Sequence, residues 1–140
     1  MSVLRRVARA WLRIVALAIP LIPVQNSFGA PEGGVVVAGQ GGINQINSNT
    51  TIVTQQTPSM AVNWDRFNLS ASDLVQFKQP SASASVLNRI LDQNPSQIFG
   101  QIDANGRVFL INPSGILFGK SASVNVGSLV ASSLALDTDA

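Results

Sequence analysis

The 140 residues contain no cysteine and no histidine. That excludes zinc sites built on those ligands, thiol chemistry, and every nucleophilic triad that relies on an imidazole base. Charge is also scarce, at 11% of residues against 46% hydrophobic, which is too apolar a balance for a disordered chain. The carboxylates are scattered and nominate no acid/base couple. Asp137-Thr138-Asp139 has the look of half a calcium loop but lacks the further ligands. No catalytic residue, metal site or cofactor is therefore assigned, and no enzyme activity is expected. The lack of thiols does not fix the compartment, because a chain that crosses membranes unfolded also gains from having nothing to oxidise early.

A membrane-spanning run is missing as well. "IVALAIPLIPV", Ile14 to Val24, is eleven residues long and interrupted by Pro20 and Pro23, whereas a helix needs about twenty apolar residues to cross a bilayer. The basic stretch "MSVLRRVARAWLR" precedes it and the polar, small-residue tail "QNSFGA" follows. This is the order of a secretory signal peptide. Cleavage after Gly29 places Ser27 and Gly29 at the positions that a signal peptidase reads, giving a signal peptide over 1–29 and an exported domain over 30–140. Four of the nine basic residues, Arg5, Arg6, Arg9 and Arg13, belong to that leader; removing it leaves five basic and seven acidic residues. The remainder gives no case for nucleic-acid binding.

From Val35 onward, apolar runs of three to six residues alternate with Gly, Asn, Pro and Ser clusters. The runs are 35–37, 43–46, 50–55, 60–64, 74–77, 97–102, 107–111, 115–118, 123–126 and 128–136. Ile98 and Ile102, Val108 and Leu110, Ile116 and Phe118, and Val124 and Val126 alternate with a period of two, which turns one face of each strand inward. The best helical stretch is Ser83 to Gln93, where Val86, Leu87, Ile90 and Leu91 share a face. Asn105-Gly106 favours a type I′ hairpin turn and hence some antiparallel pairing. Two all-β architectures answer the short, closely spaced strands: a parallel β-helix with small or polar residues at its bends, and a β-sandwich.

"VFLINPSGILFG", Val108 to Gly119, breaks one apolar run with a polar tetrapeptide and resumes at once. Each residue of Asn112-Pro113-Ser114-Gly115 suits a corner. Proline fixes φ for the second turn position, glycine takes a positive φ, and Asn and Ser side chains bond backbone amides two residues on.

"VNWDRFNLS" (62–70), "VQFKQPSASASVLNRIL" (75–91), "NPSQIFGQIDANGRVFLINPSGILFG" (94–119) and "ASVNVGSLVASSL" (122–134) stand in an order and spacing that closely resemble the amino-terminal secretion domain of two-partner secretion exoproteins. This is the filamentous-haemagglutinin-like domain of Gram-negative bacteria. The resemblance covers nearly all of the mature chain and about the first half of the family's domain. It implies a right-handed parallel β-helix capped at its amino-terminal end. It also implies export through the general secretion machinery of the inner membrane, recognition by an outer-membrane transporter with periplasmic recognition domains, and a final place at the cell surface or in the medium. The family's hallmark Asn-Pro-Asn-Gly, tied to secretion competence, stands here as Asn112-Pro113-Ser114-Gly115-Ile116, with Ser in place of the second Asn. A second hallmark, Asn-Pro-Asn-Leu, is absent. That resembles the branch with high-molecular-weight adhesins, haem-acquisition exoproteins and secreted haemolysins.

The expected role is thus a secretion module of an exoprotein, most simply an adhesin; the alternative is an autonomous haemagglutinin domain that binds glycans of a host. Asn63, Trp64, Phe67, Asn88 and Arg89 are the candidate contacts for transporter or ligand. For Trp64 and Phe67 an exposed aromatic pair competes with a role in sealing the coil stack, and Arg89 is expected at the surface beside Asp92. The chain stops at "SSLALDTDA", where the family's β-helix continues, so the front of a longer exoprotein or a truncated gene is expected.

Overall fold

The computed structural model describes residues 29–134; apart from Gly29, the expected signal peptide over 1–29 lies outside the described residues, as does Asp137 to Asp139. The described chain is all-β. Twelve strands follow one another: β1 (Val35–Ala38), β2 (Gly41–Asn47), β3 (Thr50–Gln55), β4 (Ser59–Trp64), β5 (Leu74–Lys78), β6 (Ser85–Ile90), β7 (Ser96–Ile98), β8 (Gln101–Ala104), β9 (Arg107–Ile111), β10 (Ile116–Phe118), β11 (Ser123–Asn125) and β12 (Ser128–Ser132).

They wind into a parallel β-solenoid of about four turns. One face stacks β3, β5, β8 and β11, the second stacks β4, β6, β9 and β12, and the narrow third face pairs β7 with β10 and joins Leu69 to Ile98 by an isolated bridge. At the amino-terminal end the polarity reverses. β2 runs antiparallel to β3 and β1 antiparallel to β4, so the outer edges of the first coil are covered rather than left as templates for pairing.

The period-two patterning supplies the interior. In β4 and β6 the residues at alternate positions, Met60, Val62 and Trp64 and then Val86, Asn88 and Ile90, are all buried. Register carries this from coil to coil: Met60, Val86, Val108 and Leu129 form one inward row, and Val62, Asn88 and Leu110 a second. On the first face Val53, Phe77 and Ala104 form a third. Each side chain packs on its counterparts one coil away, as parallel stacking without lateral offset requires.

Three local readings are settled. Ser83 to Gln93, the best helical stretch, forms no helix. Its centre is β6, held between β4 and β9 with ladder bonds on both edges, and that pairing overrides a helical preference too short to be stable alone. Asn105-Gly106 closes no hairpin: β8 and β9 lie in different sheets, and neither residue has a positive φ. The antiparallel pairing occurs instead in the cap. Finally, residues 97–102 are not one strand. The chain turns a corner at Gly100, where an added Cβ would strike the carbonyls of Asp73 and Ser70, so β7 ends at Ile98 and β8 begins at Gln101.

A buried amide ladder fastens the corner between the first two faces. Gln55 Nε2 donates to the carbonyls of Thr57 at 2.7 Å and Ser85 at 2.9 Å, and Gln79 Nε2 donates to Gln55 Oε1 at 3.1 Å. Burial of these polar groups is tolerable because each is bonded.

Candidate functional site

The Asn-Pro-Ser-Gly segment leaves β9 and enters β10, turning the chain from the second face to the third. Gly115 N donates to Asn112 O at 2.9 Å, closing a β-turn, while Ser114 N donates to Asn112 Oδ1 at 2.9 Å. With φ negative at Ser114 and 111° at Gly115, the turn is of type I, which places Pro113 at its favoured second position. Gly115 then takes a backbone conformation that costs an L side chain energy.

Asn112 is 0% exposed. Its Nδ2 donates to Ser96 Oγ at 2.9 Å and to Asn94 O at 3.2 Å, both in the preceding coil. The side chain therefore shapes its own turn with one atom and anchors it to the coil beneath with the other. Ser114, where the family hallmark has Asn, adds a second anchor: its Oγ donates to Asp92 O at 3.0 Å. Pro113 is exposed and Ile116 half-buried. Ser96 N donates to Gly115 O at 2.9 Å, which starts the β7–β10 pairing directly after the turn. The corner is a local turn welded to its predecessor, built from neutral amides and hydroxyls.

The other candidates separate into two groups. Trp64 and Phe67 are 1% and 0% exposed, with ring centroids 5.5 Å apart at 77°. In the folded domain they form an edge-to-face pair inside the first coil and offer no surface to a ligand; of the two roles open to them, this is the seal. Asn88 is 0% exposed in the fold; its Oδ1 accepts from Trp64 Nε1 at 2.9 Å and its Nδ2 donates to Phe109 O at 3.2 Å. Asn63 and Arg89, by contrast, are register neighbours on the outer side of β4 and β6, both half-buried. Asn63 Oδ1 and Arg89 Nε are shielded from solvent and lack hydrogen-bond partners. Arg89, expected at the surface beside Asp92, is half-buried; the sole ion pair among the described residues is Arg66–Glu32, at 3.9 Å and largely exposed.

Sequence reasoning missed the partners that complete the corner: Ser96, Asn94 and Asp92. The sequence holds one pointer, the tripeptide Asn94-Pro95-Ser96 repeated as Asn112-Pro113-Ser114, although the register pairs Ser96 with Ile116 and sets the two copies two positions apart. The missed Gln55–Gln79 ladder had no such signal, because glutamine in a short strand ordinarily faces water.

The profile of the TPS secretion domain family matches residues 28–140. A heme/hemopexin-binding protein of Haemophilus influenzae strain Rd is 37% identical over 107 residues, covering 76% of this chain and 12% of that protein. A second H. influenzae heme/hemopexin-binding protein is 31% identical with the same coverage. The crystal structure of the HMW1 secretion domain from H. influenzae superposes with a TM-score of 0.73 at 36% identity, covering 79% of this chain and 29% of that one. The chain thus spans about an eighth of the length of the curated relatives it matches. A capped parallel solenoid with the Asn112 corner, matched by family and by structure over most of its length, makes this chain a member of the TPS secretion domain family.

Proposed function

We propose that this domain is the export module of an exoprotein: it passes the inner membrane through the general secretion machinery, is recognised in extended form by an outer-membrane two-partner transporter, and then nucleates a β-solenoid at the cell surface. The observation that carries the reading is the closure of the amino-terminal end of the stack: β1 and β2 run antiparallel to β4 and β3, and parallel coils succeed one another away from this cap. In the extended chain the same strand backbone is available for β-augmentation by the transporter's periplasmic domains. Asn112, Pro113 and Gly115 act in this scheme by fixing a corner early in folding. Asn63 and Arg89, the two outward-facing candidates, are the residues we assign to surface contact.

The test is co-expression with and without a two-partner transporter, reading the chain in the medium. Export should require the transporter and fall for Asn112→Ala. Efficient export without the transporter would sink the proposal.

For the exoprotein as a whole we assign adhesion. The names of the curated relatives favour a second reading, capture of heme or hemopexin. Cell agglutination against hemopexin pull-down, performed on the whole exoprotein, separates the two. The autonomous glycan-binding domain is the weaker alternative, because the aromatic pair that would serve it is buried.

A further inference from the structure

Asn105 and Gly106 close the corner between β8 and β9, and both are tied to Gln79 in the preceding coil. Gln79 N donates to Asn105 Oδ1, Asn105 Nδ2 donates to Gln79 O, and Gly106 N donates to Gln79 Oε1, each at 2.8 Å. Gln79 is itself held fast: it is 8% exposed, and its Nε2 donates to Gln55 Oε1 at 3.1 Å and to the carbonyls of Ala84 and Arg107 at 3.2 Å.

An Asn-Gly pair carries chemistry of its own, because glycine leaves its amide nitrogen unhindered. That nitrogen attacks the Asn105 carboxamide carbon. A C–N bond forms, the Cγ–Nδ2 bond breaks, and ammonia departs with the proton that the amide gave up to solvent. Water then opens the cyclic imide at either carbonyl, leaving aspartate or isoaspartate. Water is the only co-reactant.

We propose that Asn105-Gly106 is a self-modification site, open while the chain is unfolded and shut by Gln79 once the corner forms. Attack requires the Gly106 nitrogen to lose its proton and approach Cγ. In the fold that N–H is committed to Gln79 Oε1, and both polar atoms of the Asn105 carboxamide are committed to the Gln79 backbone. The products do not fit. Aspartate at 105 loses the donor to Gln79 O and turns a carboxylate toward that carbonyl. Isoaspartate lengthens the backbone beside Gly106, where even a Cβ would lie 2.7 Å from Ala84 O and 2.8 Å from Gln79 Oε1. A chain that lingers unfolded, for whatever reason, therefore accumulates molecules that cannot rebuild this corner. The inference stands whether or not the export reading does.

The full chain, incubated in mildly alkaline buffer either folded or in urea, is digested, and the Asn105 peptide is measured by mass spectrometry and by isoaspartate methylation. Modification should be at least about tenfold slower in the folded chain, since it must await local opening. Asn47-Ser48, which is exposed, is the internal reference and should change less. Gln79→Ala should raise the rate at Asn105 and leave that at Asn47 unaltered. If the variant does not fold, hydrogen exchange at the Gly106 amide of the unaltered chain replaces it, and protection there should match the slowing of modification. Equal rates in folded and unfolded chain, an unprotected Gly106 amide, or a folded Gln79→Ala variant with an unchanged rate would each overturn the proposal.

Discussion

The indole Nε1 of Trp64 donates to Oδ1 of Asn88 at 2.9 Å, in a region where both side chains are shut off from water. Trp64 lies on β4, Asn88 on β6, and Asn88 passes the connection to β9 through the Phe109 carbonyl. One polar side chain thus links three successive coils through an otherwise apolar row.

Once one member of this pair is removed, removing the other costs little. Asn88→Leu fills the row with carbon but strands the indole donor, and about 2 kcal/mol of stability should be lost. Adding Trp64→Phe removes the orphaned donor, so the double variant should be little worse than Trp64→Phe alone. Urea unfolding followed by circular dichroism gives the three values, and strictly additive losses would mean that the bond contributes nothing.

Trp64→Ala tests whether the aromatic pair is interior in solution. Emptying that site should destabilise the domain by about 3–5 kcal/mol. A variant with unchanged unfolding midpoint would place the ring outside the core.

At the Asn112 corner the losses should be graded. Asn112→Ala removes the acceptor of Ser114 N and both donations to the coil below, and should cost about 2–3 kcal/mol. Ser114→Ala removes only the bond to Asp92 O and should cost about 1 kcal/mol. If the two variants unfold at the same denaturant concentration, the inter-coil bonds of Asn112 carry no weight.

Gly115→Ala isolates backbone conformation from packing. An added Cβ has room there, with Pro95 Cβ 3.7 Å away, yet φ is 111°. A loss of about 1–2 kcal/mol is expected from conformation alone, measured by the shift in thermal midpoint against the unaltered chain.

Much of this was legible in the chain. Alternation at Val108 and Leu110 gave inward residues, and Asn112 to Gly115 read as a corner from turn chemistry alone. Choosing a solenoid over a sandwich required the family resemblance, since both answer to short strands. The failures have a common cause. Ser85–Ile90 and Asn105-Gly106 carry local preferences, for helix and for hairpin, that are satisfied in a short peptide, but β6, β8 and β9 are paired with residues some twenty or more positions away. Burial of Asn88 and Gln79 was likewise invisible, because their partners come from neighbouring coils.

The inward rows also bear on what evolution or an engineer can exchange. In a solenoid of identical repeats, one turn can be excised and the remainder rejoined, since each interface equals the next. Here Val53 faces Phe77, Phe77 faces Ala104, and Trp64 meets its hydrogen-bond acceptor only in the coil that holds Asn88. Excising the second turn would set Ala104 against Val53 and Leu110 against Val62, leaving a void beside a bare indole donor. The turns are therefore not interchangeable parts, and their sequence of succession is as much a determinant of the fold as the composition of any one of them.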